Sequence, residues 1–224
     1  MKINIQQYLF WILIVFLSVG IIYPIIGLLA IICMVAPVMM APYKGRYWCG
    51  NYCPRGSFYD NVIAKISPQK RIPVFFRSYS FRAFIVMFIM MAFGIQMYYA
   101  WGDLSAMGAV FVRIILITTI VGIVIGVMYH QRTWCSFCPM GTLASWFSTK
   151  SKPMPLLVAK SCVDCKLCTT VCPLQLSPYT AKGRTEGFTH SDCLKCSRCL
   201  EKCPKKALTF KINDKNKRDD YNVS

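Results

Sequence analysis

The sequence predicts a membrane-embedded all-α region of four transmembrane helices arranged as two hairpins, followed by a small C-terminal α+β domain organised by cysteines. Three observations lead there. Apolar residues make up 55% of the 224 and come in blocks too long for a soluble domain of this size. Basic residues, 26 Lys and Arg against 9 Asp and Glu, lie between those blocks or after them, as positive loops beside membrane spans do. The 13 cysteines cluster at two- and three-residue gaps, a spacing that suits metal ligation better than a disulfide framework. The net charge of +17 follows from the loop distribution, and no nucleic-acid partner is expected.

The first apolar block, residues 8–41, would measure about 51 Å as one helix against a hydrocarbon core of about 30 Å. Pro24 in IIYPIIG cannot donate a helical bond and disfavours helix at Tyr23, so a tight hairpin of two short helices is expected. MKINIQQ leads into a run longer than a signal-peptide core, which is expected to stay as an anchor. Two further spans follow: residues 81–101, and a run that ends at Tyr129 and begins between Leu104 and Ile114.

Each hairpin is followed by the same motif. RYWCGNYCPRGSF and RTWCSFCPMGTL share Arg-x-Trp-Cys, an aromatic before the second cysteine, then Cys-Pro-x-Gly and Ser or Thr. Two spans separate Cys49 and Cys53 from Cys135 and Cys138, so both pairs are expected on one membrane side, with Trp48 and Trp134 in the interfacial aromatic belt. The first motif's connection holds Lys44, Arg46, Arg55, Lys65, Lys70, Arg71, Arg77 and Arg82 against only Asp60, which makes that side cytoplasmic. Stable disulfides are not expected in that reducing compartment.

After STKSKPMP come CVDCKLCTTVCP and CLKCSRCLEKCP. Each reads Cys-x2-Cys-x2-Cys-x3-Cys-Pro, the bacterial ferredoxin spacing for [4Fe-4S] clusters, in which the fourth cysteine of each run ligates the other cluster. One cluster is therefore assigned to Cys162, Cys165, Cys168 and Cys203, the other to Cys193, Cys196, Cys199 and Cys172. The rival is a pair of four-cysteine zinc sites, disfavoured by two complete copies with both prolines. Lys160, Lys166, Lys195, Arg198, Lys202, Lys205 and Lys206 are expected to offset part of the cluster charge. Haem is disfavoured, since the only histidines are His130 and His190 and no Cys-x-x-Cys-His occurs. The domains read as 1–150 (four-helix transmembrane), 151–212 (2[4Fe-4S] ferredoxin) and 213–224 (polar, disordered tail).

With WCGNYCP, then WCSFCP, then two ferredoxin runs, the chain resembles the ferredoxin-type NapH family, which groups with the membrane portions of NosR and MauN. The resemblance covers residues from about 8 to 210 and rests on the order of motifs. It implies an inner-membrane subunit of a quinol dehydrogenase, taking electrons from the quinone pool toward a redox enzyme through an iron-sulfur or cytochrome partner subunit. One departure stands out: Cys135 and Cys138 are separated by two residues where the family commonly has three. A rival reading is a membrane maturation or regulatory protein that supports assembly of a copper or other cofactor enzyme.

The membrane-edge set Cys49, Cys53, Cys135 and Cys138 has three readings: ligands of a third iron-sulfur centre, thiols in contact with a redox partner, or structural turns closing the bundle. His130 has two, a proton relay at a quinone site or interface packing. Cys33 is expected to be a small buried hydrophobe, and Arg113 to snorkel toward the outer interface beside Asp103. No catalytic residue or quinone-site residue is identifiable from the sequence.

Overall fold

Apolar periodicity and proline placement set the helices. The computed structural model describes residues 5–151 and 153–211; the expected tail at 213–224 lies outside them. Helix α1 (Leu9–Ile22) ends where Tyr23 turns extended ahead of Pro24, and the chain re-enters as a 3-10 turn, Pro24–Leu29, that continues into α2 (Ala30–Lys44). Pro24 at the first helical position loses nothing, because its missing N–H would be unpaired there anyway.

The first motif forms two short helices, α3 (Tyr47–Asn51) and α4 (Pro54–Asn61). Helices α5 (Tyr79–Tyr99) and α6 (Leu104–Met128) follow, joined by a short turn, with Asp103 accepting from the Ser105 N–H at 2.8 Å as the cap of α6. The second motif leads into α7 (Pro139–Ser151). Three segments, Pro24–Lys44, Tyr79–Tyr99 and Leu104–Met128, are long and apolar enough to cross a membrane. Helix α1 is apolar but has 14 residues, about 21 Å.

The 3-10 turn before α2 meets α6 through glycines. A Cβ on Gly27 would lie 2.0 Å from the Gly108 carbonyl oxygen, and one on Gly108 would lie 2.1 Å from that of Pro24. Only glycine permits such backbone contact, the small-residue packing by which helices associate in lipid. At the other end α1 packs on α4, and α7 packs on α2 and α5. Tyr98, Tyr99 and Trp101 stand exposed at the turn between α5 and α6, as an interfacial belt does.

Past α7, strand β1 (Leu156–Val158) pairs antiparallel with β2 (Leu208–Phe210), Leu157 opposite Thr209. The cysteine runs lie between them, each with one short helix, α8 (Leu167–Thr170) and α9 (Arg198–Lys202). Leu156, Val158, Ala181 and Leu208 form the core beneath.

Two expectations change, those for Trp134 and Cys33, and the surroundings of Arg113 and His130 are defined. Trp134 is 4% exposed and packs with Tyr59, Ile63 and Phe137 inside the bundle, so it is not part of the aromatic belt. Cys33 is exposed on the apolar face. Asp103 caps α6, and Arg113 is exposed one-third of the way along that helix. His130 is buried, and its Nδ1 accepts the Arg132 backbone N–H at 3.3 Å. Burial lowers the His130 pKa to about 4, so the ring is neutral near pH 7 and makes a poor relay there.

Candidate iron-sulfur sites

The two ferredoxin runs have one backbone. Asp164 and Lys166 flank the middle cysteine of the first at φ 52° and 61°, and Lys195 and Ser197 flank that of the second at φ 53° and 61°. Gln175 and Lys206 repeat the match beyond each Cys-Pro, with their N–H groups donating to the Cys172 and Cys203 carbonyls at 2.8 and 3.1 Å. Left-handed backbone costs a non-glycine residue about 1–2 kcal/mol, so three such residues per run mark a conformation imposed for a purpose. The turns wrap each run around its thiols.

Cys172, Cys193, Cys196 and Cys199 line one pocket, the set assigned from spacing to the second cluster. Cys162, Cys168 and Cys203 gather against the Leu156–Leu208 core, which Cys199 also touches, while Cys165 stays exposed at the rim. Among the described residues no three His, Cys, Asp or Glu side chains close on a point as around a single ion. Four thiolate donors per site are what a four-iron cluster takes, so the residues fit the group.

The runs differ sharply in exposure. Val163 in the first is 58% exposed, whereas its counterpart Leu194 in the second is 4% exposed and sits against the first membrane-edge motif. A Cβ on Gly50 would lie 2.2 Å from the Leu194 carbonyl oxygen. Asn51 Nδ2 donates to the Lys195 carbonyl at 3.3 Å, and Lys195 Nζ to that of Met154 at 2.8 Å. Lys195, expected among the residues that offset the cluster charge, is buried. Cys49, Cys135, Cys172, Cys193 and Cys196 all pack around the one apolar cluster of Leu174, Leu176 and Leu194.

The two membrane-edge pairs converge. Cys49, Cys53, Cys135 and Cys138 line a cavity of about 260 Å³ that runs from the motifs to Ile12, Phe16, Cys33 and Pro37 on α1 and α2. Arg46 and Arg132, each 1% exposed, cross between repeats. Arg46 donates to the Cys135 carbonyl at 2.6 Å, and Arg132 to that of Cys49 at 3.2 Å. Each guanidinium also covers the glycine of the other repeat's Cys-Pro-x-Gly, Arg46 over Gly141 and Arg132 over Gly56.

Two buried carboxylates complete this network. Asp192 accepts from Arg46 at 3.0 Å and from Arg82 at 3.0 and 2.7 Å. Asp60 accepts from Arg132 at 2.8 and 2.6 Å and from Arg198. Burial alone would raise the Asp192 pKa, but the Arg46 and Arg82 guanidiniums hold it down at about 2. Asp60 is lowered in the same way by Arg132 and Arg198.

Sequence reasoning singled out the cysteines but counted Arg46 and Arg82 only as loop charges and gave Arg132 no role beyond its place in the motif. The signal that could have singled out two of them was in the repeat itself, since the Arg and the Gly occupy the same positions in both copies.

Comparison with known proteins agrees with the thiol geometry. Residues 26–73 and 109–154 each match the family described as "4Fe-4S binding domain", and residues 154–220 match "4Fe-4S dicluster domain". The chain is thus an iron-sulfur protein of ferredoxin type with helices able to span a membrane, an architecture made for electron transfer. It is similar to two uncharacterized proteins of Methanocaldococcus jannaschii. One, MJ0749, is 28% identical over 84% of this chain and 74% of its own length; the other, MJ0750, is 26% identical over 79% and 76%. The pyruvate synthase subunit PorD of Thermotoga maritima is 33% identical over 25% of this chain and 57% of its own length. No solved structure matches.

Proposed function

We propose that this protein is an integral inner-membrane electron carrier that passes electrons between the quinol pool and a redox-enzyme partner. Cys162, Cys165, Cys168 and Cys203 hold one [4Fe-4S] cluster, and Cys193, Cys196, Cys199 and Cys172 the other. Such clusters, when bound, supply reversible one-electron sites. The observation that carries the reading is the inward face of the second run: Leu194 joins its cysteines to Cys49 and Cys135 in one buried cluster, so thiols continue from the bundle into the ferredoxin region.

The apolar part of the cavity supports a quinol site. It is lined by aliphatic side chains of α1 and α2, with a few polar groups at its inner end, as small-molecule sites are. Pro37 deprives the Cys33 carbonyl of its helical donor, and both residues line the cavity. A quinol oxidised there leaves as quinone after giving up two electrons and two protons. At the far end the exposed first run offers Val163, Leu167 and Cys165 amid Lys160, Lys166, Lys202, Lys205 and Lys206, a face suited to an acidic iron-sulfur or cytochrome partner.

Four crossings with the cysteines in the cytoplasm fit the charge distribution and the return of the chain's start to the cysteine end, where Gln6 Nε2 donates to Asp60 at 3.2 Å. Helix α1 then crosses as a short helix with local bilayer thinning.

The test is anaerobic. Protein in proteoliposomes, mixed with a short-chain quinol, is expected to lose visible cluster absorbance and to gain the EPR signal of reduced clusters. Clusters that dithionite reduces but no quinol analogue does would overturn the quinol assignment and favour the assembly role.

A further inference from the structure

We propose that Cys49, Cys53, Cys135 and Cys138 together ligate one third [4Fe-4S] cluster, shared between the two repeats, with Arg46 and Arg132 as its buried counter-charges. This rests on the iron-sulfur reading above and extends it to the thiols at the membrane edge. Each repeat alone supplies two of the four thiolates that a cluster takes. The reciprocal Arg46–Cys135 and Arg132–Cys49 contacts fix the halves so that all four cysteines line one space.

That space is not packing slack. It is a cleft of about 260 Å³, open along α1 and α2, with the four cysteines grouped at its inner end beside Arg46 and Arg132. Its walls carry orphaned donors: Nε of Arg46 and the indole N–H of both Trp48 and Trp134 are buried without a partner. Each can only donate, so each calls for an acceptor in the cavity. The sulfides and thiolates of a cluster are acceptors, and Arg132 Nη1 already lies 3.6 Å from Cys135 Sγ.

Charge points the same way. Three buried guanidiniums, of Arg46, Arg82 and Arg132, and the one-third-exposed Arg198 share the carboxylates of Asp60 and Asp192, which leaves one buried positive charge in excess of the carboxylates. Buried charge needs a partner. A cluster on four thiolates, carrying about two negative charges in its oxidised form, provides one.

Iron and acid-labile sulfide are measured on the full-length protein purified anaerobically in detergent, with EPR of the reduced sample. About twelve irons per chain are expected, falling to about eight in Cys49→Ala and in Cys135→Ala alike, with the signals of the other two clusters retained. Loss of one cluster from either single variant is the mark of a shared site. The Arg46→Lys variant is expected to keep the iron but shift the potential of the third signal. About eight irons in the native protein, or eight with one zinc that leaves with the cysteines, would overturn the proposal while the electron-transfer reading stands. A native protein without iron would overturn both. The native count decides even where a variant fails to fold.

Discussion

A Cβ at Gly141 would stand 2.4 Å from Nη2 of Arg46, and one at Gly56 would stand 2.5 Å from Nη1 of Arg132. Neither guanidinium can swing aside without giving up a buried carboxylate and a carbonyl. Gly141→Ala and Gly56→Ala are therefore expected to destabilise by about 1–3 kcal/mol each in detergent thermal unfolding. Gly94→Ala, with open space around its Cβ, serves as the neutral control. Asp192→Asn leaves Arg46 and Arg82 without their carboxylate and is expected to cost about 3–5 kcal/mol. Because the folded pKa of Asp192 is depressed, its stabilisation is complete above the unfolded value of about 3.9 and is lost as pH falls toward about 2. His130 has the same sign over a higher range: its lowered pKa favours the folded state above about 6.5 and loses that contribution as pH falls toward about 4. Acid unfolding followed by circular dichroism is thus expected to begin below about pH 6.5, and in Asp192→Asn to lack the component near pH 2–4. None of these polar contacts was legible in the chain. Arg46 and Asp192 lie 146 residues apart, and spacing rules report only neighbours within a turn or a strand pair.

Elements were more readable than side chains. The break at Tyr23 and Pro24 followed from backbone chemistry alone, whereas the doubled left-handed turns at the two cysteine runs carry no glycine to announce them. How the elements touch was not readable, because Gly27, Gly108 and Gly50 look like any other glycine until their neighbours are known. Gly108→Val is expected to push the 3-10 turn off α6 and to lower the melting temperature of the bundle. Gly50→Ala would press a methyl against the Leu194 carbonyl, so it is expected to loosen the ferredoxin region from the bundle. Its signature would be faster proteolysis near Met154, with the iron content of the ferredoxin region unchanged.

At the scale of the whole molecule, the two halves draw stability from different sources. The helical half rests on long apolar helices, whereas the ferredoxin region has two three-residue strands and a small core that must also offset six left-handed residues. Thiolate ligation is then part of its folding free energy. Stripping iron by oxidation and chelation is expected to abolish hydrogen-exchange protection across residues 156–210 and to leave that of α5 and α6 intact. The membrane half has its own dependence. Arg46 closes on the second motif and Arg132 on the first, each guanidinium meeting the first cysteine's carbonyl and the glycine of the other copy. A contact in which each side offers the other what it receives is the geometry of a two-fold dimer. A chain half this length, carrying one hairpin and one motif, could satisfy every one of these contacts by pairing with a copy of itself, and joining two such copies end to end frees each to diverge. The shorter cysteine gap of the second motif and the inward fit of the first against Leu194 are divergences of that kind.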